Sequence, residues 1–185
     1  MEFMKLKKIN AVLSLVTILG LLVHLTNEMI TYTLFIYNPV VSKVIGFSLM
    51  GLFLLHGGLA VTILFVSHDS HNIEYKKLNK RTVFQRATAG LVVILLPLHI
   101  ISFDLMSKGP GPVVYVLLEV SRFLYYGSVL IHAGLSFGNA LVTLGLLENR
   151  KKKRILDLIM LILSVVITIA FGIYITVCHL TMFNK

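Results

Sequence analysis

The sequence is poor in charge, has almost no cysteine and contains no tryptophan. Charged residues occupy 14% of its 185 positions and hydrophobic residues 57%. A soluble domain carries roughly 25% charged and about 45–50% apolar residues, so a water-soluble globule is excluded. A disordered tail is excluded as well. The single cysteine, Cys178, rules out an internal disulfide, a cysteine-based zinc site and an iron–sulfur cluster. Without tryptophan, the seven tyrosines are left as interface anchors. No Gly-rich phosphate loop, nucleophile elbow or zinc-protease signature is present. The apolar run after Lys5, Lys7 and Lys8 continues through His24 without a small-residue cleavage site, so no cleaved signal peptide is expected.

What the sequence does contain is long apolar segments. Five are legible, at about 9–32, 41–66, 83–103, 113–147 and 155–182. Each approaches or exceeds the ~20 residues that cross a hydrocarbon core of about 30 Å. The expected fold is all-α: an integral membrane bundle of five transmembrane helices forming a single domain over 1–185. The fourth segment is too long for one perpendicular crossing and has to tilt or project past the headgroups.

Basic residues sort by side. Lys5, Lys7 and Lys8 share one side with Lys76, Lys77, Lys80, Arg81 and Arg86, and with Arg150, Lys151, Lys152, Lys153 and Arg154. Those are thirteen of the seventeen Lys and Arg; Lys43, Lys108, Arg122 and Lys185 fall in or near segments of the opposite side. The positive-inside rule then places the N-terminus in the cytoplasm and the C-terminus outside. The net charge of +9 is explained by topology rather than by a nucleic-acid partner. These basic stretches are read first as topology determinants and second as a docking patch.

Histidine is the informative residue. His68 and His71 fall in the connection Ser67–Arg81, while His24, His56, His99, His132 and His179 fall one to each span. An ionisable residue within a membrane span is costly and marks function by default. His24 and His99 lie 75 residues apart, and His56 and His132 lie 76 apart. The first couple sits on two spans running outward, at one depth roughly 23 Å from the inner end. The second sits on two spans running inward, about 15 Å from that end, provided that the fourth helix projects a turn. Two facing imidazoles at one depth suit a low-spin b-type haem, one nitrogen on each side of the iron. A four-helix haem-binding core plus a fifth helix is therefore expected. Gly20, Gly57, Gly58, Gly90 and Gly134 would leave room for a flat macrocycle, although small residues also serve plain helix packing. Zinc is disfavoured, because no span carries two His. His179, beside Cys178, reads as an interfacial residue.

These residues resemble the single-subunit di-haem cytochrome b anchor of succinate dehydrogenase and fumarate reductase complexes. The likeness runs over nearly the whole chain. It rests on His24-Leu25 with Asn27, on His56-Gly57, on Phe84-Gln85-Arg86-Ala87-Thr88-Ala89-Gly90 leading to His99, and on His132 with Gly138-Asn139. The 43-residue step from His56 to His99 suits the family too. The resemblance implies a distal haem on His24 and His99 and a proximal haem on His56 and His132. It also implies flavoprotein and iron–sulfur subunits on the cytoplasmic side, a quinone substrate (menaquinone), and a place in the bacterial cytoplasmic membrane. One departure is at Ile9-Asn10-Ala11, where the family often has a His-Ser pair followed by Gly; the likeness does not extend to a cytoplasmic quinone site there.

Other charges have candidate roles. Arg86 and Arg122 are weighed as haem-propionate ligands, against a snorkelling side chain for Arg86 and a mutual ion pair with Glu119 for Arg122. Glu28, Asp104 and Glu119 are weighed as proton acceptors for a quinol, against interfacial solvation or pairing. The expected function is an anchor that relays electrons between membrane quinone and a cytoplasmic succinate/fumarate enzyme, with no dicarboxylate chemistry on this chain. Two other readings stay open: a stand-alone membrane cytochrome b passing electrons between quinone and superoxide, oxygen or ferric iron, and a haem-free transporter using its His pairs as a proton relay.

Overall fold

The structure, a computed structural model, describes residues 2–34, 36–66, 80–108 and 111–183, apart from the side chains of 2, 103, 104, 107 and 179–183. It consists of five α-helices: α1 Glu2–Leu34, α2 Pro39–Val66, α3 Lys80–Ser107, α4 Pro112–Thr143 and α5 Arg150–Phe183. Each is long and apolar enough to cross a membrane, and there is no strand among the described residues. A helix satisfies its own backbone in lipid, where no water is available to do so, and this is why apolar runs of such length fold this way. The chain is thus an all-α, multi-pass membrane protein.

The helix ends are set by local chemistry rather than by hydropathy. Asn38 caps α2, its Oδ1 accepting from the amides of Val40 at 3.1 Å and Val41 at 3.2 Å, with Pro39 in the first helical position. Asn149 caps α5 in the same way, through the amides of Lys151 at 2.8 Å and Lys152 at 3.2 Å. The end of α4 differs from expectation. The helix stops at Thr143, four residues before the end of the apolar run at Leu147. Gly145 takes a φ of 77°, Leu146 N donates to Leu141 O at 2.9 Å, and Gly145 N donates to Val142 O at 3.0 Å. That is a Schellman closure, and its left-handed residue is one that glycine adopts without steric cost. The third segment also begins earlier than expected, so Arg81 lies in the first turn of α3 and not in the preceding connection.

The chain forms two compact units. One comprises Met1–Lys76 with Ser136–Lys153, and the other Lys77–Leu135 with Arg154–Lys185. In the first unit α1 packs on α2. Gly20 makes that approach possible, since a Cβ there would sit 3.3 Å from the Cδ1 atoms of Leu49 and Leu52. Asn27 Nδ2 donates to Ser42 Oγ at 3.1 Å, which joins the same two helices. No described residue of α2 is buried.

In the second unit α4 and α5 meet in part through polar contacts. Gly134 of α4 lies against α5 so closely that a Cβ would stand 2.6 Å from Ser164 Oγ and 3.0 Å from the Met160 carbonyl oxygen. Ser164 Oγ lies within hydrogen-bonding distance of Leu130 O across the helix pair, at 2.8 Å, and of Met160 O within α5, at 2.7 Å. Small residues with interhelical hydroxyl contacts are how helices associate where lipid gives no hydrophobic drive. Gly20 and Gly134 therefore serve helix packing, whereas a Cβ at Gly57, Gly58 or Gly90 would meet nothing within 4 Å.

Candidate functional site

Each of the first four helices carries one histidine. His24 is in α1 and His56 in α2, in the first unit; His99 is in α3 and His132 in α4, in the second. Each is described within its own unit.

His132 has the best-defined surroundings. Its Nδ1 lies 3.0 Å from the carbonyl oxygen of Gln85 on α3. A carbonyl only accepts, so Nδ1 carries the proton and the lone pair resides on Nε2. Thr88 Oγ1 stands 3.4 Å from the same Nδ1, and is itself near the carbonyls of Phe84 at 3.1 Å and Gln85 at 2.9 Å. The segment Phe84–Gly90 thus fixes the orientation of a histidine 47 residues away. A backbone carbonyl on Nδ1 fixes the tautomer and the ring orientation, as it does for histidines that ligate metals.

His99 is buried. Its ring stacks on Tyr125 of α4, with centroids 4.4 Å apart and planes 18° apart, and meets the edge of Tyr126 at 5.5 Å. Tyr126 in turn meets Phe171 of α5 edge-on at 5.8 Å. These two tyrosines are half-buried and pack among the helices of their unit. Pro97, two residues before His99, lies inside α3 and offers no amide to the carbonyl one turn earlier. Ser102 Oγ donates to the His99 carbonyl at 2.7 Å.

In the first unit His24 is half-buried, and its Nδ1 is buried with no hydrogen-bond partner among the described residues. A buried nitrogen left this way costs about 1–3 kcal/mol unless a ligand takes it up. His56 is half-buried and is followed by Gly57 and Gly58, beside which there is open space.

The charged candidates separate clearly. Glu119 and Arg122 form the expected mutual pair, Nη1 to Oε1 at 3.3 Å, with the Arg122 side chain only 3% exposed. Glu119 Oε2 also lies 3.4 Å from Thr176 Oγ1 on α5. Arg86 is exposed on α3, and Glu28 is half-buried on α1. The side chains of Asp104 and His179, and the whole of His68 and His71, lie outside the described residues. No cluster of three or more His, Cys, Asp or Glu that could hold a metal ion occurs among the described residues.

Sequence reasoning missed the polar junction of α3, α4 and α5. Arg81 forms a fork with Asp157, Nη1 to Oδ2 at 2.5 Å and Nη2 to Oδ1 at 2.7 Å, and Nη2 also donates to Leu135 O at 2.7 Å. The signal was available, because a lone acid early in a span demands a cation. Tyr125 and Tyr126 beside His99, and Gln85 as the acceptor for His132, were equally unassigned. No protein-family model, curated protein or solved structure matches the chain.

Proposed function

We propose that the chain is a di-haem cytochrome b of the bacterial cytoplasmic membrane, with its N-terminus inside and its C-terminus outside. In this reading it anchors a cytoplasmic flavoprotein and iron–sulfur pair of the succinate dehydrogenase/fumarate reductase type and relays electrons between them and membrane quinone. His24 and His99 would hold one haem, and His56 and His132 the other. Bound haem would supply reversible one-electron chemistry, and the four histidines would hold it in a water-poor setting.

The observation that carries this reading is the single imidazole on each of four consecutive spans, with His132 fixed by the Gln85 carbonyl so that Nε2 holds the lone pair. The helix ends add support. His56 lies ten residues before Val66 and His132 eleven before Thr143, about 15 and 16 Å along their helices. His24 lies ten residues before Leu34 and His99 eight before Ser107, about 15 and 12 Å. The buried Nδ1 of His24 and the open space at Gly57, Gly58 and Gly90 are compatible with an inserted macrocycle.

The test is a reduced-minus-oxidised visible spectrum of the purified chain, with haem counted against protein. Two haems per chain and sharp b-type α-bands are expected, and His132→Ala should lose one of the two. A colourless preparation from haem-replete cells overturns the reading. Co-purification of flavin and iron–sulfur subunits separates the anchor from a cytochrome working alone.

A further inference from the structure

The start of α5 presents a physical conflict. Arg150, Lys151, Lys152, Lys153 and Arg154 occupy its first five positions, directly after the Asn149 cap, and no acid lies in its first turn. The N-terminus of a helix is its positive pole, and cations placed there are repelled by the unsatisfied amides. The run is nevertheless helical from its first residue. Successive helical residues step round the axis by about 100°, so these cations fan over most of the circumference instead of forming one stripe. Arg150, Lys151, Lys152 and Arg154 are exposed.

Two acids lie nearby. Asp157 pairs with Arg81 through both carboxylate oxygens. Glu148, two residues before the helix, sets one exposed negative charge against the four exposed positive ones. The apolar part of the span begins at Ile155, immediately after the collar, which is the position at which a membrane-spanning helix meets the headgroups. A protein partner docking on one side would select cations on one face. Charges spread round the helix suit an anion that surrounds it.

From this we infer that the collar Arg150–Arg154 is a binding site for anionic phospholipid headgroups, whose phosphates offset both its exposed charges and the helix pole. The inference is independent of any haem. Several basic residues beside a membrane span attract anionic lipid with an energy that adds per charge.

The experiment titrates the full-length chain in a neutral detergent micelle with phosphatidylglycerol or phosphatidylcholine and counts bound lipid by native mass spectrometry. In micelles the direction of insertion has no influence on the result. Wild type should retain phosphatidylglycerol over phosphatidylcholine at 0.15 M salt and lose that preference at 1 M. The variant R150Q/K151Q/K152Q/R154Q should bind phosphatidylglycerol at least about tenfold more weakly, and R150K/R154K should bind like wild type. Equal retention of the two lipids by wild type overturns the inference, whatever the variants do. So does unchanged phosphatidylglycerol binding in the glutamine variant, which would leave the collar a topology signal only. Displacement of the lipid by a soluble polyglutamate peptide at equal charge would also overturn it, in favour of an acidic protein surface.

Discussion

Asp157 is the residue on which the polar junction of the second unit depends. It is 16% exposed and Arg81 30%, between a surface pair, worth about 0–1 kcal/mol, and a buried one, whose breakage costs about 3–5 kcal/mol. Asp157→Ala should therefore destabilise the protein by about 2 kcal/mol, read as a lowered melting point in detergent. The exchanged pair R81D/D157R should recover part of that loss; no recovery would mean that Arg81 matters through Leu135 instead. Histidine positions were legible at this scale because an imidazole stands out in an apolar run. Their partners were not. Gln85 acts on His132 through its backbone, which no side-chain pattern reports, and Tyr125 reads like any interfacial tyrosine until α3 and α4 bring it against His99.

At the level of the helix, the existence and number of spans followed directly from apolar length, while their ends did not. Leu144, Leu146 and Leu147 prolong the hydrophobic run past Thr143, yet the backbone turns at Gly145. Hydropathy measures transfer to lipid and carries no information on φ. Gly145→Ala should cost about 1 kcal/mol, because alanine resists the left-handed conformation; unchanged thermal stability would count against the Schellman closure. Gly134→Ala should cost more, about 1–3 kcal/mol. Its methyl meets Ser164 Oγ at 2.6 Å and the Met160 carbonyl at 3.0 Å. Adding Ser164→Ala should rescue only part of the loss, since a backbone carbonyl cannot rotate away. Full rescue would place the whole conflict in the hydroxyl.

For the whole molecule, five crossings with the proposed orientation put the two termini on opposite sides. A fluorescent protein fused to the N-terminus should glow in the cytoplasm, and alkaline phosphatase fused to the C-terminus should be active outside. The reverse pattern would refute the orientation. That expectation was readable from the distribution of Lys and Arg, and the fusions test it. How the chain divides into two units was not, since both draw on α4, with the boundary after Leu135 inside one uninterrupted apolar helix.

The helix α2 is 28 residues long and has no described residue that is fully buried. Such an element takes little of its order from its own chain, so its amides should exchange hydrogen soonest in empty micelles. Supplying whatever normally embraces it should slow that exchange around His56 before anywhere else. A segment made this way works as a gauge of assembly, ordered when the surrounding parts have arrived and the first to loosen when one of them is withheld.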